Sequence, residues 1–109
     1  MPQISLIYIT CSSKTEAKNI AKTLVQEKLI ACANIIDNVT SIYEYNNKLC
    51  EEDEVLIVAK TISGYFQKVK NRIIEMHSYD IPCIVEINIT NAANKFTDWV
   101  ASNVLNIEN

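Results

Sequence analysis

The sequence predicts an α+β fold of the ferredoxin-like class, a four-stranded antiparallel sheet with two helices on one face. Two observations predict it. The segments follow one another as strand, helix, strand, strand, helix, strand, and Asn46-Asn47, residues that tolerate the positive φ of a tight hairpin, join the middle strands. Two βαβ units joined in this way form a βαββαβ arrangement. One domain, 1–109, is expected, because either half would be too small to bury its own core.

Hydrophobic periodicity predicts the elements of the first half. Residues 4–11 form a continuous apolar and β-branched run, typical of a buried strand. Ser13, followed three residues later by Glu16, predicts a capping box at the start of an amphipathic helix of about four turns. Strand character returns over 29–45 and is interrupted at Asp37 and Asn38, which predicts one long strand with a bend or bulge.

The second half repeats the pattern. The acidic run 51–54 is expected in a turn before a strand at 55–60, and Ser63 is predicted to cap a second helix that ends near His77. A last strand over 83–89 and a short terminal helix around Trp99 complete the chain. The core-facing residues of the second helix are expected to be Phe66, Val69, Ile73 and Met76.

The strands are apolar on both faces, whereas a solvated sheet face alternates with polar residues. Leu6 and Tyr8 stand against Ile7 and Ile9 in the first strand, for example. The terminal helix is too short to cover the second face alone. Since most soluble oligomers are closed and symmetric, further copies of the chain are the expected cover.

Composition excludes several classes of partner. Ten basic and thirteen acidic residues give a net charge of -3, and the lysines are dispersed, so no nucleic-acid surface is predicted. The longest apolar run, 55–59, is far too short for a membrane span, and no signal segment is visible. Four separated cysteines without a CxxC pair are interpreted as the reduced thiols of a cytoplasmic protein.

Catalytic machinery is not visible either. There is one histidine, Gly64 is the only glycine, and neither a GxSxG nor an HExxH motif occurs. The strand motif of RNA-binding ferredoxin-like domains is also missing. The chain is therefore predicted not to be an enzyme.

His77 is the first candidate metal ligand, in a segment that also contains Met76 and Cys83. Imidazole, thioether and thiolate are the ligands that copper favours, above all Cu(I). The alternative is that His77 only ends a helix, where an imidazolium favours the dipole, and that Met76 is core packing.

Four further positions have two interpretations each. Cys32 and Cys11, in or at the end of strands, are either buried small hydrophobes or thiol ligands. Lys60, at the end of a strand, either extends into solvent or meets an anionic group in a cleft. The acidic run 51–54 offers hard oxygen ligands, but such runs are usually solvated.

Five short blocks, taken in order and spacing, resemble the CutA family of divalent-ion tolerance proteins. The resemblance extends from the first strand to Trp99. The blocks are Ala31-Cys32-x-Asn34-Ile35-Ile36, Val39-Thr40-Ser41-Ile42-Tyr43, Glu51-Glu52-x-Glu54-Val55, Lys60-Thr61 and His77-x-Tyr79-x-x-Pro82.

The resemblance implies a tight homotrimer, an architecture related to the PII signalling proteins, and a role in tolerance of copper and other divalent cations. Positions that the family usually keeps are occupied here by Cys32, Tyr43, Glu52, Lys60, His77 and Tyr79. Three departures stand out: residues 44–47 replace the family's paired tryptophans and Glu-Gly turn, Ser78 replaces a proline, and Cys83 replaces a glutamate.

The leading hypothesis is a non-enzymatic homotrimer that binds divalent metal ions, copper first, through Cys32, His77 and Cys83. The alternative is a PII-like interaction module that holds a small anionic ligand in clefts between subunits, with Lys60, Tyr43, Glu52 and Tyr79 as binding residues. A third possibility is a structural trimer that anchors a partner protein.

Overall fold

A computed structural model describes residues 3–104, and the predicted order of strands and helices is confirmed there. The strands form one antiparallel sheet in the order β2-β3-β1-β4, as expected for the ferredoxin-like fold. The elements are β1 (Ile4–Cys11), α1 (Lys14–Gln26), β2 (Cys32–Tyr45), β3 (Lys48–Ile62), α2 (Phe66–Met76), β4 (Ile84–Asn88) and α3 (Asn94–Ser102).

The main core lies between one face of the sheet and the helices α1 and α2. Alternate residues of β1 and β3 project into it, as the period of two in a strand requires. Because the helices present their apolar stripes to the same face, the side chains pack without solvent contact. The fully buried members include Ile7, Ile9, Ile20, Leu24, Ile30, Ile57, Val69 and Ile73.

The opposite sheet face is only partly covered. Helix α3 packs on one end of it, where Val100 joins Ile4 and Ala31 in a second, smaller cluster. Further along β4, Val85 and Ile87 each remain 46% exposed. The expectation that the terminal helix cannot cover this face alone is therefore confirmed. None of the helices in residues 3–104 is long and apolar enough to cross a membrane.

Strands β2 and β3 form a long hairpin. Its turn is Asn46-Asn47, with φ values of 52° and 63°, as the sequence predicts. The pairing register shifts between Ile36 and Val39, and Asn38 has a φ of 61°. An extra residue at such a shift bends the strand and increases its twist, so the predicted bulge is present.

Three details differ from the sequence-based expectation. The acidic run 51–54 lies within β3 rather than in a turn, because it pairs with residues 39–42 beyond the bulge. Ser63 does not cap α2: its backbone N–H donates to Gln3, Gly64 turns the chain with a φ of 97°, and the helix begins after Tyr65. The first strand of the hairpin begins at Cys32, since the segment from Lys28 leads out of α1 through a positive φ.

Replacing Ile57 by Ala tests the assignment of the core. The fully buried side chain would leave a cavity, and we expect the free energy of unfolding to fall by about 2–5 kcal/mol. Ile42→Ala is the matched control, because Ile42 is 66% exposed on the same hairpin, and its effect should stay within about 0.5 kcal/mol. Urea unfolding at one protein concentration measures both, and equal losses would contradict this core.

Candidate metal centre and the adjoining cleft

His77 lies where α2 ends and is the residue that joins the site together. Its backbone N–H closes the helix by donating to Ile73 at 2.8 Å, after which the chain leaves the helix in an extended conformation. The turn directs the imidazole inward, toward the end of β1, and its side chain is 0% exposed. The sequence prediction that His77 ends the helix is confirmed.

Both ring nitrogens of His77 have partners. Nε2 lies 2.8 Å from the carbonyl oxygen of Thr10, and Nδ1 lies 3.1 Å from the backbone nitrogen of Tyr79. A carbonyl oxygen only accepts and a backbone N–H only donates, so the ring proton resides on Nε2 and the lone pair on Nδ1. Nδ1 is therefore the nitrogen that can bind a metal.

Glu16, in the first turn of α1, lies beside that nitrogen, with Oε2 at 4.0 Å from Nδ1. Oε1 accepts from the backbone and hydroxyl of Ser12, and Oε2 accepts from the backbone of Ser78 at 2.8 Å. Burial by itself would raise the pKa of Glu16, but the hydrogen bonds from Ser78 and Ser12 outweigh it and lower the pKa to about 2. The carboxylate is thus ionised at physiological pH.

The predicted capping box is present in modified form. The hydroxyl of Ser13 accepts from the backbone N–H of Glu16 at 3.1 Å, as predicted. The Glu16 side chain, however, reaches Ser12 instead of the backbone N–H of Ser13. The carboxylate of Glu16 therefore lies at the end of β1, next to His77.

Cys11, the last residue of β1, completes the cluster. Ligand atoms of Cys11, Glu16 and His77 all lie within 4.8 Å of one another, and among the residues described this is the one such group. Burial, and then the charges of Glu16 and Glu54, raise the pKa of the Cys11 thiol to about 12. The thiol is therefore protonated until a metal displaces its proton.

The three donors fit a transition metal. Thiolate, imidazole and carboxylate together suit zinc or copper, and three protein ligands leave a coordination position open. Histidines that bind metals usually donate their other N–H to a carbonyl or carboxylate, as the Nε2–H of His77 donates to Thr10. To bind at Nδ1, the metal would displace the N–H of Tyr79.

An open cleft of about 480 Å³ adjoins this cluster. Residues 79–81 and Cys83, which follow His77 closely in the chain, form one wall, and the β2–β3 hairpin forms the other. The phenol of Tyr79 donates across the cleft to Glu54 at 2.8 Å, and within the hairpin wall the phenol of Tyr43 donates to Glu52. Burial and the neighbouring Glu54 raise the pKa of Tyr79 well above its usual value, so its phenol keeps its proton.

The residues predicted from the sequence divide into three places. Tyr43, Glu52, Tyr79 and Cys83 all line the cleft, and His77 lies in the buried cluster beside it. Cys32 and Lys60 are directly paired across β2 and β3. In the register of the sheet this pair lies beside Leu6, about 13 Å along β1 from Thr10.

Cys32 and Lys60 therefore do not join His77 or the cleft. The Lys60 ammonium donates to Asn34 on β2. It is not among the described residues that line the cleft.

Two residues of the cluster were not singled out as its ligands by sequence reasoning. The sequence predicts Cys11 to be either core packing or a thiol ligand, and Glu16 to be a capping residue. Both occur at the junction of the first strand and helix, but His77 lies more than 60 residues away in the chain. The sequence shows only that Cys11 and Glu16 lie close together at the end of the first strand. The tertiary fold is what brings them next to His77.

Glu16→Gln tests the cluster through stability. Because folding lowers the pKa of Glu16, its ionised form stabilises the protein above the ordinary carboxyl pKa of 4.5, and this contribution disappears as pH falls toward about 2. We expect the variant to lose roughly 1–3 kcal/mol of unfolding free energy at pH 7 and progressively less between pH 4.5 and 2. Urea unfolding across this range measures the difference, and a loss that does not vary with pH would contradict the assignment.

Comparison with known proteins places the chain among relatives along nearly its full length. The model of the CutA1 divalent ion tolerance protein family matches residues 5–103. The divalent-cation tolerance protein CutA of Thermus thermophilus is 38% identical over 98 residues, covering 90% of this chain and 95% of that protein.

Two solved structures share the fold. The divalent ion tolerance protein CutA1 of Ehrlichia chaffeensis superposes with a TM-score of 0.90 at 40% identity, covering 94% of this chain and 96% of its own. The periplasmic divalent cation tolerance protein CutA of Archaeoglobus fulgidus has a TM-score of 0.91 at 37% identity, covering 94% and 99%. This chain therefore belongs to the CutA1 divalent ion tolerance protein family.

Proposed function

We propose that the chain binds a transition-metal ion, copper first, at Cys11, Glu16 and His77, and acts in divalent-cation tolerance without catalysing a reaction. The observation that carries this proposal is that one ligand atom from each of these three residues lies within 4.8 Å of the other two. The names of its relatives, which refer to divalent-cation tolerance, support the same class of ligand.

Copper is favoured over harder cations by the nature of the donors. Thiolate and imidazole outnumber the carboxylate, and soft donors select copper and zinc over magnesium or calcium. The predicted ligands Cys32 and Cys83 lie outside this cluster, and the same titration tests whether either binds metal. An anionic ligand receives less support in the cleft, because Glu52, Glu54 and Asp80 line it and none of its described lining residues is lysine or arginine.

Assembly into a homotrimer is part of the proposal. On the open sheet face Val85 and Ile87 are each 46% exposed, and on the hairpin Ile42 and Leu49 are 66% and 80% exposed. Exposed apolar side chains of this kind are what a subunit interface covers. A cytoplasmic location is also proposed, on the basis of four free cysteines.

Metal titration by calorimetry, with Cu(I) and Zn(II) under anaerobic, reducing conditions, tests the metal centre. We expect His77→Ala and Cys11→Ser each to weaken Cu(I) binding at least tenfold, or about 1.4 kcal/mol. Cys50→Ser is the matched control, since Cys50 is a free thiol on the hairpin whose Sγ donates to the carbonyl of Lys48. Parallel titrations of Cys32→Ser and Cys83→Ser show whether those thiols contribute, and a silent His77→Ala would refute the centre.

The pH dependence of metal affinity should identify the Cys11 thiol. Since its pKa is raised to about 12, each metal bound at neutral pH must displace one thiol proton. We therefore expect Cu(I) affinity to rise by about tenfold for each pH unit between pH 6.5 and 8.5, and the slope to decrease by about one proton in Cys11→Ser. An unchanged slope in that variant would mean that another thiol binds the metal.

The trimer is tested by light scattering at micromolar concentration. We expect a mass of about 37 kDa, three times the 12.3 kDa of one chain. Ile87→Lys places a charge on the open sheet face and should reduce this mass, whereas Glu75→Lys, on the exposed surface of α2, should not. A wild-type mass of one chain would rule out the assembly.

A further inference from the structure

The cleft beside the metal centre has a uniform negative charge. Glu52 and Glu54 of β3 and Asp80 of the facing wall contribute three carboxylates. The described residues that line it include no lysine, arginine or histidine. A cavity of this charge attracts cations and excludes anions.

These carboxylates are spread around the cleft rather than gathered at one point. Glu52 and Glu54 are alternate residues of a strand, so their Cα atoms are about 7 Å apart. Each is held by a different phenol, Glu52 by Tyr43 and Glu54 by Tyr79. None of the cleft carboxylates belongs to the one group of converging metal ligands in residues 3–104. The arrangement therefore suits a cation larger than a metal ion.

Aromatic rings supply the remaining surface. Tyr43 and Tyr45, on the same face of β2, are 41% and 59% exposed, and Tyr79 stands on the opposite wall. Ring faces attract organic cations through their quadrupole, and quaternary ammonium groups are commonly bound between several such rings. Ile81, which is 78% exposed in the same lining, adds apolar contact.

From these features we infer that the cleft binds a small organic cation, an ammonium group attached to an apolar body. The rings and Ile81 contact the apolar part, and the distributed carboxylates balance the charge. The volume of about 480 Å³ lies within the usual range for small-molecule sites, about 300–1,000 Å³. This site is separate from the metal centre, because its proposed binding residues are not Cys11, Glu16 or His77.

Benzyltrimethylammonium is a suitable probe, since it has a permanent charge, cannot coordinate a metal and cannot donate a hydrogen bond. Benzyl alcohol and benzoate have the same ring with neutral and negative groups. Protein-observed NMR titration at constant ionic strength should show the ammonium probe binding at least tenfold more tightly than benzyl alcohol, with benzoate not binding. The shifted signals should come from residues 43–45, 52–54 and 79–83.

Paired variants distinguish the contribution of the Tyr45 ring to binding from that of its hydroxyl. They also distinguish a carboxylate in the cleft from the overall negative charge of the protein. Tyr45→Leu should weaken the ammonium probe at least fivefold, whereas Tyr45→Phe, which keeps the ring face, should bind within twofold of wild type. Glu54→Gln should weaken it at least threefold. Asp53→Asn removes the same charge from the neighbouring residue of β3, whose side chain points to the other face, and should have no effect.

Several outcomes would overturn the inference. Absence of binding at millimolar probe, or equal binding of benzyl alcohol, would show that the cleft does not recognise organic cations. Equal losses in Glu54→Gln and Asp53→Asn would indicate non-specific charge attraction. Displacement of the probe by equimolar Ca²⁺ would indicate a carboxylate metal site. If Cys11→Ser loses Cu(I) binding but binds the ammonium probe as wild type does, the metal centre and the cleft are two separate sites. If the probe does not bind while Cu(I) still does, only the cleft inference is wrong.

Discussion

The two hydrogen bonds of the His77 imidazole determine the architecture of the functional end of the molecule. One connects the end of α2 to the carbonyl of Thr10 on β1, and the other fixes the backbone of Tyr79, where the cleft wall begins. The ring is fully buried, so neither bond competes with water. Loss of the imidazole would leave a buried carbonyl and a buried N–H without partners, which costs about 1–3 kcal/mol for each group.

Glu16 strengthens the same connection from the other helix. Its carboxylate joins residues on both sides of the site, Ser12 after β1 and Ser78 after His77. Three elements thus meet through polar side chains at a place where the rest of the interior is aliphatic. Because the His77 ring within this network is buried, an arrangement that separated it from Thr10 and Tyr79 would leave polar groups unpaired, which favours this one arrangement of the chain. The metal centre and the cleft have different lining residues, and the hydrogen bond from the Tyr79 backbone to His77 connects them.

The sequence predicts the fold more completely than the site, for a physical reason. Strand and helix periods, the Asn46-Asn47 turn and the bulge near Asn38 are local properties, and each is present in the structure. The start of α2 differs from the prediction because the backbone N–H of Ser63 donates to Gln3, which is distant in sequence. The convergence of Cys11 and Glu16 on His77 likewise depends on how β1 and α2 pack, which no local pattern encodes. Family resemblance indicates Tyr43, Glu52 and Tyr79 as binding residues, but only the tertiary fold brings them into one cleft.

The bulge between Ile36 and Val39 divides the long hairpin into a part that packs on the core and a part that extends beyond it. Before it, β2 lies against α1 and the main core; beyond it, residues 39–45 extend about 23 Å and pair with β3. Amide protons in this distal arm should exchange with solvent through local openings, while those of the sheet centre exchange only in larger unfolding events. The tyrosine wall of the cleft therefore belongs to the more compliant part of the molecule, whereas the metal ligands belong to the rigid part. A ligand in the cleft would contact this arm through Tyr43 and Tyr45, whereas a metal at Cys11, Glu16 and His77 would bind only in the part of the molecule that adjoins the main core.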